Sequence, residues 1–89
     1  MVNRDINPEK LKKNFGKLLR ESRIEKSLTL EEVARDSYLD EKNLGKIENG
    51  NRGPELLTLF KLRKRVNISV DEIFDKIPED QVLDDPEDK

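Results

Sequence analysis

Four times in this chain a short polar residue of the kind that caps helices stands close before apolar residues at helical spacing: Asn7, Thr29, Asp40 and Ser69. This punctuation constrains the fold more than any other feature, because each cap fixes where a helix begins and the intervals leave room only for short ones. Asn7-Pro8-Glu9 supplies a cap, a proline for the first helical position and an early acid. Leu11, Phe15, Leu18 and Leu19 follow at helical spacing, so a first helix is expected from about Pro8 to Lys26. Thr29-Leu30-Glu31-Glu32 has the form of a capping box and opens a second helix, Leu30 to Ser37, with Val33 and Ala34 inward. Asp40 caps a third helix that Gly50 ends, and Pro54 opens a fourth with a stripe of Leu56, Leu59, Leu62 and Val66. Asn67 suits the left-handed residue that closes it. Ser69-Val70-Asp71-Glu72 is a second capping box and starts a small fifth helix carrying Ile73 and Phe74. No segment alternates apolar and polar residues over strand length, so the expected fold is all-α, five short helices and no strand. One domain over 8–78 is expected, between an N-terminal arm, 1–7, and a C-terminal tail, 79–89.

Composition then narrows the function. With 89 residues, 33% of them apolar, the chain supports one modest core, so partner chains are expected to matter to its stability. It has no cysteine and no histidine, which removes disulfides, His/Cys metal sites and thiol or imidazole nucleophiles. The acid pairs Glu31-Glu32 and Asp84-Asp85 sit at a cap and in the tail, without the ligand spacing of a built cation site. No enzyme, metal, cofactor or small-molecule ligand is therefore expected. No apolar run approaches the roughly 18 to 20 residues of a membrane span, and the N-terminus lacks a signal-peptide core. A cytoplasmic protein without membrane contact is the expectation. The net charge of −2 hides an asymmetry: residues 1–78 carry +3 and the tail carries −5. That tail, in which Val82 and Leu83 are the only apolar residues, is expected to be solvated and disordered.

The third helix is the most informative surface. At about 100° per residue, Leu44 and Ile47 point to the core while Lys42, Gly45, Lys46 and Asn49 point away from it. Asn43 lies on one flank, Glu41 and Glu48 on the other, and Asp40 is occupied as the cap. The outward ridge is thus basic and amide-bearing, with donors suited to phosphates and to guanine and adenine edges. Taken alone, such a ridge reads first as a solvated charged face, because charged helix faces are common.

Residues 15–74 resemble the helix-turn-helix domain of Cro/C1-type regulators, the XRE family. The resemblance rests on "FGKLLRESR", "LTLEEVA", "NLGKIENGNRGP" and "LLTLFKLRKRVNISVDEIF", in order and without a gap. It implies a five-helix lambda-repressor-like fold whose second and third helices form the helix-turn-helix, the third entering the major groove of double-stranded DNA. It places Glu41, Lys42, Asn43 and Lys46 where base-reading side chains sit, with Lys42 and Lys46 foremost. Thr29 and Leu30 correspond to a phosphate clamp at the start of helix two, and Asn51 and Arg52 to a second phosphate contact. Arg23 and Glu48 match positions that form a partly buried salt bridge. Three positions depart from the family pattern: Leu30 replaces a glutamine, Tyr38 replaces the glycine of the turn, and Gly45 interrupts the recognition helix.

The resemblance therefore implies a sequence-specific transcriptional regulator, a repressor acting as a homodimer on a two-fold symmetric operator, with recognition helices about 34 Å apart. The expected dimer seam is Leu57, Phe60, Phe74 and Ile77, apolar positions beyond what the small core requires. Two alternatives stay open: a protein-interaction module such as an antirepressor or antitoxin-like partner, and an activator of the restriction-modification controller kind.

Overall fold

A computed structural model describes residues 4–86. Five α-helices follow one another: α1 (Pro8–Glu25), α2 (Leu30–Ser37), α3 (Glu41–Glu48), α4 (Leu56–Val66) and α5 (Val70–Asp75), then a single 3-10 turn (Glu79–Gln81). The caps lie where the sequence puts them. Asn7 Oδ1 accepts from the N–H groups of Glu9 and Lys10, and Asp40 Oδ2 from that of Asn43. At Thr29 the capping box closes in both directions: Glu32 N–H donates to Thr29 Oγ1 at 3.0 Å, and Thr29 N–H to Glu32 Oε1 at 2.8 Å. The Ser69 box is half-formed. Its Oγ accepts from Glu72 N–H at 3.5 Å, and no reciprocal bond is present among the described residues.

The fourth helix differs from expectation. Pro54 lies two residues ahead of it, and Glu55 at the cap offers no side-chain hydrogen bond. Leu56 does not join the core stripe but is 82% exposed, because the buried row starts at Thr58, about 200° further round the helix, and continues through Leu62. Leu59 and Val66 flank that row as partly buried residues. Asn67 closes α4 with φ 55°, as expected.

All five helices feed one core of Phe15, Leu19, Val33, Ala34, Leu44, Ile47, Leu62, Ile68 and Ile73. Ile68, 2% exposed, seals the core from the connection between α4 and α5. Gly16 sets the closeness of α1 and α3. A Cβ there would lie 2.2 Å from the Ile47 carbonyl oxygen and 2.6 Å from that of Glu48, so only glycine lets the two backbones meet.

The tail is the main correction. Residues 79–86 are not a solvated extension: Val82 is 3% exposed, and Leu83 forms an isolated antiparallel bridge with Ile6. Asn7 N–H donates to the Val82 carbonyl at 2.7 Å and Asp84 N–H to that of Asp5 at 2.8 Å. Lys10 Nζ donates to the Leu83 carbonyl and pairs with Asp85 at 2.8 Å. Of the acids predicted to keep this segment in water, Asp85 instead meets Lys10 and Asp84 accepts from Asn7 Nδ2, while Val82 and Leu83 seat the segment together with these backbone bonds. The arm and tail thus form a clasp around the start of α1.

Candidate nucleic-acid interface

The outward ridge of α3 is built as its helical phase requires. Leu44 and Ile47, each 1% exposed, anchor the inner side, and Glu41, Lys42, Lys46 and Asn49 are exposed. Asp40 is consumed by its bond to the Asn43 N–H, so its carboxylate closes the helix start instead of projecting from it. A Cβ on Gly45 would make ordinary contact with Leu30 Cδ2 at 3.5 Å, so packing alone does not demand the glycine. Leu30, Glu41, Lys42 and Gly45 line one open depression, which brings the start of α2 and the ridge of α3 onto the same surface.

Two devices hold that ridge. Arg23 Nε and Nη2 donate to Glu48 Oε2 and Oε1 at 2.7 and 2.9 Å, a bidentate pair whose side chains are 12% and 5% exposed. Arg23 Nη1 also donates to the Leu28 carbonyl at 2.9 Å, tying the segment between α1 and α2 to the same guanidinium. The hydrogen bond to Glu48 raises the Arg23 pKa above its ordinary value. Gly16, which the sequence reading did not single out, is the second device. A glycine in the buried phase of a long helix, between Phe15 and Leu19, was the signal for it.

The turn of the helix-turn-helix is made by Tyr38 in the left-handed region, φ 54° and ψ 46°. Its ring is 73% exposed with the Arg65 guanidinium 5.0 Å from the centroid, and its carbonyl accepts from Lys61 Nζ at 2.9 Å. At the start of α2 the expected clamp is altered. The Thr29 N–H is occupied by Glu32, while among the described residues the N–H groups of Leu30 and Glu31 have no hydrogen-bond partner. The donors free to meet an anion are therefore one residue further along than Thr29.

Beyond α3, Gly50 at φ 79° turns the chain. Gly50 N–H donates to the Ile47 carbonyl at 3.0 Å and Asn51 N–H to that of Lys46 at 2.9 Å, the paired bonds of a Schellman motif. Asn51 and Arg52 are exposed, but the Arg52 side chain folds back: its Nη1 donates to Asn43 Oδ1 at 2.7 Å.

The expected seam residues divide. Leu57 and Phe60 are 63% and 60% exposed, and Leu56 extends their apolar strip. Phe74 is half-exposed with its ring 5.9 Å from that of Phe15, and Ile77 packs against the core. Leu11, Phe15, Leu59 and Phe74 line an apolar groove of about 280 Å³ between α1, α4 and α5. Among the described residues no helix is long and apolar enough to cross a membrane.

Residues 16–79 match the family profile described as "Helix-turn-helix domain". No curated protein sequence matches the chain. Among solved structures, the restriction-modification controller protein C.AhdI from Aeromonas hydrophila is 37% identical with a TM-score of 0.65, over 70% of this chain and 94% of that one. The clp gene regulator ClgR from Corynebacterium glutamicum is 26% identical with a TM-score of 0.66, over 72% and 68%. The controller C.Esp1396I, in a tetramer bound to its natural 35 base-pair operator, is 26% identical with a TM-score of 0.63, over 73% and 86%.

Proposed function

The chain belongs to the helix-turn-helix family of Cro/C1-type DNA-binding regulators, and on that premise we propose that it is a sequence-specific repressor that binds a two-fold symmetric operator as a homodimer, with α3 in the major groove. The observation that carries this reading is the ridge of α3: Lys42 and Lys46 project from a helix whose own acids are capped, paired or set to one flank. Lys42 and Lys46 reach guanine edges or phosphates, and Asn43 and Glu41 add contacts at the helix start. The Leu30 N–H at the start of α2, with Thr29 as its cap, and Asn51 and Arg52 beyond α3 meet the DNA backbone on either side. Leu57 and Phe60, with Phe74 and Ile77 at the edge, form the seam between two copies. Their exposed apolar area on a chain this small supports burial against a second copy. The kinship with restriction-modification controllers leaves the sign of regulation to the operator's position relative to the promoter.

The test is a fluorescence-anisotropy titration of pooled genomic duplexes at 50 and 200 mM salt, with sedimentation velocity of the free protein. Four ridge lysines in the dimer, two from each copy, predict a loss of roughly a hundredfold in affinity over that range. Sedimentation should give a dimer that Phe60→Lys turns into a monomer. Absence of any salt-sensitive binding would overturn the reading. It would favour a protein-binding module instead, in which the carboxylates at the start of α2 and the apolar strip of α4 are the working surfaces.

A further inference from the structure

Asn43 and Arg52 are nine residues apart, yet the end of α3 brings them together. The Schellman bonds at Gly50 and Asn51 fix the path of the loop. Its inner side rests on α1, where a Cβ on Gly50 would lie 2.8 Å from Lys13 Cγ. From this pinned loop Arg52 reaches back along α3 to Asn43 Oδ1 at 2.7 Å. A guanidinium has five donors and no acceptor, so the amide atom facing it is the carbonyl oxygen and the orientation of Asn43 is settled by chemistry. A charge-assisted bond of this kind is about twice as strong as a neutral one. Asn43 is also held at its backbone, since its N–H is taken by Asp40. Among the described residues Asn43 Nδ2 donates no hydrogen bond, and Nδ2 is the end of the amide left to meet a base.

This orientation matters for what Asn43 reads. Adenine recognition by an asparagine uses both ends of the amide: Oδ1 accepts from N6 and Nδ2 donates to N7. With one lone pair of Oδ1 taken by a cation and the amide held in that orientation, the two-ended pairing with adenine is disfavoured while both Nδ2 donors stay free, and the major-groove edge that presents two acceptors is that of guanine, through N7 and O6. We propose that Arg52 is a specificity-setting residue: by holding Asn43 Oδ1 it turns the Asn43 amide into a donor for guanine and away from adenine. The inference rests on the reading of α3 as the DNA-binding helix, and it gives Arg52 a role that a phosphate contact would not.

The experiment is enrichment of bound duplexes from a random pool by the full chain, in parallel for wild type, Asn43→Ala, Arg52→Met and Arg52→Lys. The position whose preference disappears in Asn43→Ala identifies the base opposite Asn43. Wild type is expected to select guanine there. Arg52→Met, which keeps the length and removes the donors, is expected to shift that one position toward adenine by roughly tenfold in relative enrichment. Arg52→Lys, which retains a donor for Oδ1, is expected to keep guanine. The proposal is overturned if wild type already selects adenine there, or if Asn43→Ala alters no position. It is equally overturned if Arg52→Met weakens all sequences alike and leaves the preference at that position where wild type has it, the signature of a phosphate contact alone. If wild type enriches no sequence at all, the DNA-binding reading itself fails, an outcome distinct from those three.

Discussion

Two ion pairs of nearly equal length hold the two ends of α1, and they do different work. Arg23 and Glu48 meet at 2.7 Å with side chains 12% and 5% exposed, whereas Lys10 and Asp85 meet at 2.8 Å with side chains 38% and 88% exposed. The first is a planar fork, bidentate, shielded from water and shared with the Leu28 carbonyl. The second is a point charge in solvent beside a segment already seated by Val82 and backbone bonds. Distance alone says nothing about which pair matters. Burial does, because a stranded charge in the interior has no water to return to. The end of α1 that is tied to α3 is therefore locked by charge. The clasp end, about 20 Å away along the helix, is held by apolar contact and backbone hydrogen bonds.

The largest effect that would break this contrast is at Glu48. Glu48→Ala should cost about 3 to 5 kcal/mol in urea-unfolding free energy, because Arg23 is left buried without its partner. A variant that unfolds like wild type would show the pair to be ornamental. Next comes the clasp's apolar anchor. Val82→Ala should cost about 1 to 3 kcal/mol, the loss of two buried methyl groups plus the space they leave; no loss would mean that residues 79–86 do not pack in solution. Gly45→Ala sharpens the contrast in the opposite direction. The site accommodates a methyl group beside Leu30, so stability should rise by roughly 0.5 to 1 kcal/mol while affinity for DNA falls if the groove wall approaches that backbone. Equal DNA affinity with raised stability would leave Gly45 without a role in binding.

The smallest effect is expected at Asp85. Its hydrogen bond to Lys10, and the charge of that lysine, hold its carboxyl below the usual carboxylate range. A folded-state value below the unfolded one means that the pair contributes above the ordinary carboxylate pKa, and that the contribution is lost as pH falls through the depressed value. In this exposed setting Asp85→Asn should leave the thermal midpoint at neutral pH and physiological salt where wild type has it. Any difference seen at low salt should vanish on acidification; one that persisted in acid would assign Asp85 a role other than its charge.

Much of this molecule was legible in the sequence, and what was not has physical reasons. Helix starts were readable because a capping side chain acts over three residues, which is why Asn7, Thr29 and Asp40 marked them correctly. Where no such cap exists, at Glu55, the start of α4 and the phase of Leu56 were misread. Contacts far apart in sequence were out of reach of local rules. Gly16 against the α3 backbone, Arg52 against Asn43 and Val82 in the core each depend on where the chain returns. The tail was misjudged because its acids were weighed against water alone and not against Lys10. The pairing of Arg23 with Glu48 was available only through the family resemblance. Ser37, fully buried with a hydroxyl that has no hydrogen-bond partner among the described residues, was signalled by nothing, and its environment offers no account of why a serine stands there.

The central claim is that DNA is met by the locked end of the molecule and by the ridge of α3 in particular. Two double variants carry the same change in charge: Lys42→Ala/Lys46→Ala on the ridge and Lys10→Ala/Lys12→Ala at the clasp. Anisotropy titration of one enriched duplex with each, at two salt concentrations, compares them directly. The ridge variant should lose at least roughly tenfold in affinity and about four units of salt slope, one for each lysine lost from the dimer, while the clasp variant stays within about twofold of wild type. Equal losses in the two variants, or a ridge variant that binds like wild type, would contradict the assignment.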